Sequence, residues 1–280
     1  PGVVTNHDLE NIMDTSDEWI RQRTGIEQRH WIDPDKVTGA SDLALEAAHM
    51  ALESAGWTPK DIDFIIFATL SPDLTFPGSG CLLQTKLGLD STPSLDIRQQ
   101  CTGFLYGLTT ADAYIRAGIA DKILLVGSEV HSSGLDMSTR GRDVTVIFGD
   151  GAAAVCIEGI ETDDDKGILA SVLHADGKYA DALMVELPAS KYPKRMVPGV
   201  DIEDARYYPV MDGPAIFKKA VRMLPQVIHE SLGKAGLDIG DIDLIIPHQA
   251  NMRINQALGQ TLKLPEDRVF HNIQKYGNTT

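Results

Sequence analysis

The chain has 280 residues, 43% hydrophobic and 23% charged, enough for one large domain or two moderate ones with real cores. A formal net charge of −15 argues against binding nucleic acid or an anionic membrane through the overall field. Cys81, Cys101 and Cys156 are widely spaced, with no CxxC-type pair, no secretory signal and no apolar run of membrane-spanning length; free thiols in a reducing, cytoplasmic setting are expected.

In chain order, residues 41–55 read as a helix: Ser41 as N-cap, a polar stripe of Asp42, Glu46, His49 and Glu53, and Gly56 at the end. Phe64-Ile-Ile-Phe-Ala reads as a buried strand, Cys81 to Leu87 as a helix and Ser94-Leu-Asp-Ile as a short strand. A helix from about Cys101 to Ala117 and the strand Ile123-Leu-Leu-Val follow, and Thr145 to Ile157 is strand-like around Gly149-Asp-Gly151. Residues 175–210, rich in Pro, Tyr and charge, read as a long insertion or cap. The helix pattern returns at Phe217, Val221, Leu224 and Ile228, where Pro225 is expected to break or kink it. Strand Asp243-Leu-Ile-Ile and helix 250–262 complete an α/β pattern with largely parallel sheets.

Residues 53–66 (ESAGWTPKDIDFII) and 233–246 (GKAGLDIGDIDLII) match at 7 of 14 positions without a gap, at an offset of 180. If two halves are duplicated, Cys101 and Asn278 fall near equivalent places, 177 apart. Chance recurrence of a common helix–turn–strand unit is the alternative.

Cys101 follows a strand and opens a helix. Helix-start N–H groups and the macrodipole favour a thiolate and can receive an oxyanion, and Thr102 and Gly103 leave room for substrate. A buried structural cysteine is the plain alternative. His248 follows the strand 243–246 within Pro-His-Gln-Ala-Asn, a polar strand end of the kind where α/β sites form. Asn278 lies in Gly-Asn, which is also ordinary turn chemistry. The order Cys, His, Asn also fits papain-like hydrolases, but those place a CGSCW-like context near the chain start, and QQCTGF here lies a third of the way in. Gly149-Asp-Gly151-Ala-Ala-Ala154 imitates a dinucleotide fingerprint but runs into a strand pattern; a tight backbone approach is expected there instead. His7, His30, His49, His131, His174, His229 and His271 show no ligand spacing, so no metal site is expected.

The segments TSDEWIRQRTGI (15–26), DIRQQCTGFLYGL (96–108), RGRDVTVIFGDGAAA (140–154), LHADG (173–177), PHQANMRI (247–254) and YGNTT (276–280) resemble the β-ketoacyl-[acyl-carrier-protein] synthase III group of thiolase-fold condensing enzymes. The resemblance implies a duplicated α-β-α-β-α five-layer fold, with halves at 1–160 and 161–280. It implies an acyltransferase that condenses an acyl-CoA primer with a malonyl thioester to initiate fatty acid synthesis. It places catalysis on Cys101, His248 and Asn278, and coenzyme A contacts on Trp19, Arg23, Arg140 and Arg253. Asn251 is counted with the substrate contacts, Phe217 is an aromatic beside the site, and Phe76 lines the acyl pocket from across a homodimer. Coenzyme A thioesters enter as substrates, no cofactor is expected, and an acyl carrier protein is the expected partner. A related condenser or acyltransferase of specialised metabolism is the alternative. Three departures stand out. Pro214 replaces the usual Asn, and Gln260 and Thr261 replace a basic pair, which leaves Lys218, Lys219, Arg222 and Arg253 as a possible patch for an acidic carrier. The family also has a strand before Pro1 and further strands beyond Thr280, so an incomplete chain is expected.

Overall fold

The computed structural model describes residues 1–164, 166–191 and 203–280. The chain opens with β1 (Gly2–Thr5), α1 (Asn6–Glu10), α2 (Asp17–Thr24) and β2 (Gln28–Trp31), with β1 and β2 antiparallel. The Ser16 hydroxyl caps α2 by accepting from the Trp19 N–H, and Gly25, at φ 79°, ends it in the left-handed conformation.

A four-stranded sheet is built from β3 (Phe64–Ala68), β4 (Ser94–Ile97), β5 (Lys122–Glu129) and β6 (Gly151–Glu158), in the order β4-β3-β5-β6. β3 runs parallel to β4 and β5, and β6 is antiparallel to β5. Strand alternation splits the core between two faces. Ile65, Phe67, Leu124 and Val126 pack under α3 (Ala40–Ala55) and α4 (Ser79–Lys86). Ile66, Ile123 and Leu125 face α5 (Gly103–Arg116). Gly107 lets α5 sit close, because a β-carbon there would lie 2.4 Å from Leu125 Cδ1.

Helix starts differ in detail from the reading above. The cap of α3 is Gly39, because Ser41 is taken by a distant carboxylate: its N–H and hydroxyl both donate to Asp73. α4 begins at Ser79, where the Ser79 and Gly80 N–H groups donate to Asp96 at 2.6 and 2.9 Å. Cys101 lies in a 3₁₀ turn, Gln100–Thr102, ahead of α5. The strand expected from Thr145 begins at Gly151. A short helix, α6 (Arg142–Thr145), precedes it, and Asp150 is buried and accepts from Ile32, His131 and Ser132 N–H groups.

Within the segment read as an insertion, the described residues form a short antiparallel pair, β7 (Leu183–Met184) and β8 (Val210–Met211); residues 192–202 lie outside the described residues. α7 (Gly213–Ala235) runs through Pro225 without a break, with the proline ring buried; Pro214 sits in its first turn, where a missing N–H costs nothing. α8 (Met252–Leu262) and α9 (Ile273–Tyr276) follow. The expected buried strand at 243–246 is a single parallel bridge, Ile245 to Val269. With one neighbouring segment among the described residues, its alternate side chains are not covered, and Ile246 is 70% exposed.

The sequence repeat is also a geometric one. α3 and α7 both end on a left-handed glycine, Gly56 at φ 69° and Gly236 at φ 71°. Each is followed by a capped 3₁₀ turn, in which Asp61 accepts from Thr58 N–H at 2.7 Å and Asp241 from Asp238 N–H at 2.8 Å. Ala68, which ends β3, and His248 are therefore equivalent positions, each at the carboxyl end of an extended segment.

Candidate active site

Cys101 borders a cavity of about 580 Å3, shared with Gln100, Phe104, Glu129, Asn272, Tyr276, Thr279 and Thr280. Gln100 just before it holds φ 43°, a left-handed backbone that costs a residue with a β-carbon on the order of 1 kcal/mol and points to a constrained turn. The expected lowering of the thiol pKa is corrected here. Burial pushes it up to about 11, opposed by its own backbone N–H and reinforced by the charge of Glu129. Desolvation is the largest cause, and Cys101 precedes Thr102, the cap residue of α5. Glu129 is itself buried, accepting from Leu70 N–H and from the Ser71 N–H and hydroxyl, and burial raises its pKa.

His248 sits at the end of the bridged segment. Gln249 ties this stretch to the cavity wall by donating to Phe270 O at 3.1 Å and accepting from Asn272 N–H at 3.1 Å. His248 does not line the cavity that Cys101 borders. Its Nε2 is buried without a hydrogen-bond partner, and burial lowers the ring pKa to about 4.

Asn278 is buried and fixed by its backbone. Its N–H donates to Ile147 O at 2.9 Å, and its carbonyl accepts from Gly149 N–H at 3.0 Å. Its Oδ1 accepts from Thr280 N–H, while no bond from Nδ2 is recorded among the described residues. The tight approach expected at Gly149 is real: a β-carbon there would lie 2.4 Å from Tyr276 O. Cys101 and the residues flanking Asn278 thus share one cavity.

A second cluster is cationic and aromatic. The Trp19 ring carries Arg23 at 4.5 Å and Arg142 at 5.0 Å. Arg140 is turned away: its Nε donates to Asp136 at 2.6 Å, its Nη1 donates to Glu203 O at 2.8 Å, and its guanidinium lies over Tyr208. Arg142, which the sequence reading did not single out, is the arginine of this pair that lies over Trp19, with its Nη1 donating to Asp14 O at 2.6 Å. Arg-Gly-Arg offers two candidates two positions apart, and only the α6 start shows which one faces Trp19. Arg253 lies over Phe217 at 5.7 Å. The Asn251 amide is spent on structure, accepting from Arg253 N–H as the cap of α8 and donating to Arg23 O at 3.0 Å. Phe76 is 80% exposed.

His131, which the sequence reading left without a role, is buried with Nε2 2.7 Å from the Thr280 hydroxyl, and burial lowers its pKa to about 4. Both rings therefore stay neutral well below pH 6.5. An unfolded chain binds protons that these rings refuse between pH 6.5 and 4, so their contribution to stability is full above 6.5 and is lost as pH falls toward 4. The loss reaches roughly 3 kcal/mol per ring. The raised carboxyl of Glu129 works in the opposite direction. In a proton NMR titration, the His131 and His248 ring signals are expected to stay unshifted from pH 7.5 to 5; a midpoint near 6.5 for either ring contradicts the burial argument.

Among the described residues, no group of three or more His, Cys, Asp or Glu could hold a metal ion, and no helix is long and apolar enough to cross a membrane.

Comparison with known proteins defines the family. Residues 95–177 match the family model 3-oxoacyl-[acyl-carrier-protein (ACP)] synthase III, and residues 232–280 match its C-terminal model. The beta-ketoacyl-[acyl-carrier-protein] synthase III of Cereibacter sphaeroides is 43% identical over 281 residues, covering 99% of this chain and 82% of that protein. That of Alkalilimnicola ehrlichii is 44% identical over 280 residues, with the same coverage. The crystal structure of 3-oxoacyl-[acyl-carrier-protein] synthase III from Aquifex aeolicus superposes with a TM-score of 0.87 at 40% identity, covering 99% of this chain and 82% of that one. Fold and relatives together define a thiolase-fold condensing enzyme of the acyltransferase type. The chain belongs to the β-ketoacyl-[acyl-carrier-protein] synthase III family.

Proposed function

We propose that the protein condenses an acyl-CoA primer with malonyl-[acyl-carrier protein] through an acyl-Cys101 intermediate, the first condensation of fatty acid synthesis. The observation that carries the reading is a pair of unpartnered side-chain nitrogens among the described residues, the buried Nε2 of neutral His248 and the Nδ2 of Asn278, each able to donate. The Cys101 sulfur attacks the acyl-CoA thioester, its proton leaves with the departing coenzyme A thiol, and the acyl group stays on sulfur. A thiol with a pKa near 11 is mostly protonated at neutral pH, so attack requires proton loss in the acylation step. When the malonyl thioester loses CO2, charge builds on its thioester oxygen. A neutral imidazole protonated on Nε2 and an amide N–H donate to that enolate without demanding a proton in return. The carbanion then attacks the acyl-Cys101 carbonyl: a C–C bond forms, the C–S bond breaks, and the thiolate takes up a proton from solvent.

Trp19 with Arg23 and Arg142 is the proposed seat of the coenzyme A end: a planar base stacks on such an indole, and the two guanidiniums, which now lie over the ring at 4.5 and 5.0 Å, would move off it to pair with the phosphates. The exposed Phe76 supports a homodimer in which this ring closes the neighbour's acyl pocket. Lys218, Lys219, Arg222 and Arg253 are the proposed face for an acidic carrier, although Lys219 is already held by Asp176 and Tyr179. The two halves divide near residue 160.

The test is a condensation assay with acyl-CoA and [14C]malonyl-[acyl-carrier protein], in which one CO2 is released per β-ketoacyl product; malonyl thioester left intact by the wild-type protein sinks the reading. In the same assay Trp19→Ala and Arg142→Ala each raise KM for acyl-CoA about 5–30-fold, the equivalent of 1–2 kcal/mol of stacking, with kcat little changed. Arg140→Ala stays within about twofold. An Arg140 effect larger than that of Arg142 reverses the assignment.

A further inference from the structure

The segment 146–150 has two edges. On one, Ile147 O and Gly149 N–H hold the backbone of Asn278. On the other, β2 and the residue after it grip the alternate positions. Arg29 Nη2 donates to Val146 O at 2.9 Å, Trp31 Nε1 donates to Phe148 O at 3.0 Å, and Asp150 is held by His30 O and Ile32 N–H, both at 2.7 Å.

Arg29 is the unusual member. It is completely buried, although it forms no ion pair among the described residues. Its other contacts are Nη1 to Val4 O and Nη2 to Asn6 Oδ1, and its Nε has no partner. A guanidinium placed dry at the cost of burying its charge calls for a positional reason. Its stem supplies one. A β-carbon at Gly277, at φ 66°, would lie 3.3 Å from Arg29 Cβ and 2.7 Å from Ile147 O, and one at Gly149 would lie 3.2 Å from Arg29 Cβ. Arg29 therefore packs where the two glycines let the 147–149 and 276–278 segments meet. The neighbouring contacts run the same way: Glu27 N–H donates to Gln274 O at 2.9 Å, and His30 stacks on Tyr276 at 5.5 Å.

We propose that Arg29 and Trp31 are positioning residues for Asn278, fixing the 146–149 segment from behind so that the Asn278 amide is held at one place in the site. The inference rests on the reading of Asn278 as an enolate donor. It separates the half-reactions, because acylation of Cys101 does not use Asn278 and decarboxylation does.

The experiment measures both half-reactions in Arg29→Lys, Trp31→Phe and, as a reference, Asn278→Ala, with thermal unfolding alongside. Lysine keeps the charge but loses the fork that spans Val4 O and Val146 O. Trp31→Phe removes one donor without altering a buried charge, so it carries the comparison if Arg29→Lys does not fold. The expected result is decarboxylation of [14C]malonyl thioester lowered about tenfold or more by Arg29→Lys and about 3–10-fold by Trp31→Phe, with acyl-Cys101 formation within about threefold of wild type. Equal loss in both half-reactions, or wild-type decarboxylation in Trp31→Phe, overturns the proposal. Unchanged decarboxylation in Asn278→Ala instead overturns the reading of Asn278 itself.

Discussion

Exchange of Cys101 for alanine lowers condensation by on the order of 10³-fold or more, because a covalent step loses its only attacking atom. The accompanying signature is a loss of acyl-enzyme with malonyl decarboxylation left measurable, since the donors proposed for that step lie on other segments. Serine in place of cysteine behaves like alanine at neutral pH: a hydroxyl in the site that already drives a thiol to about 11 is a far weaker acid still. The wild-type thiol, in turn, should react with iodoacetamide at a rate that climbs about tenfold per pH unit from 7 to 10. A rate already flat at pH 7 would mean that the helix-start field outweighs burial.

Asn278→Ala gives the second large effect, with decarboxylation slowed about 10²–10³-fold, the usual consequence of removing one donor to a developing oxyanion. Acylation of Cys101 persists. The side chain can be removed without moving the turn, since the backbone bonds to Ile147 and Gly149 hold position 278 in place. Equal losses in acylation and decarboxylation would point to a displaced segment in place of a missing donor.

Elements governed by local pattern were legible in the chain. The α3–Gly56–β3 unit and its copy ending at Gly236 follow from spacing and a left-handed cap, and both were found. The strand at 243–246 was not, because burial of an alternating segment depends on neighbours that the pattern does not name. The helix cap at Ser41 was displaced by Asp73, which lies 32 positions away in the chain. Pro225 left α7 continuous because the proline is packed in the interior, where tertiary contacts override local preference.

The site divides in the same manner. Cys101, His248 and Asn278 could be named from motif and order, but their electrostatics could not. The pKa of Cys101 is raised by desolvation and by Glu129 at the end of β5, and that of His248 is lowered by burial. Arg142 and Arg140 are alike in sequence but lie over different rings, one over Trp19 and the other over Tyr208 and bound to Asp136. Arg29 gave no signal at all as one basic residue in Gln-Arg-His, and only its complete burial behind the Asn278 turn marks it out.

The most direct test of Cys101 as acyl carrier is intact-mass spectrometry of the protein after incubation with a series of acyl-CoA thioesters. The wild-type chain is expected to gain the mass of one acyl group, lost on addition of malonyl thioester, and Cys101→Ser is expected to gain none. An acyl adduct of undiminished yield on Cys101→Ser would contradict the account.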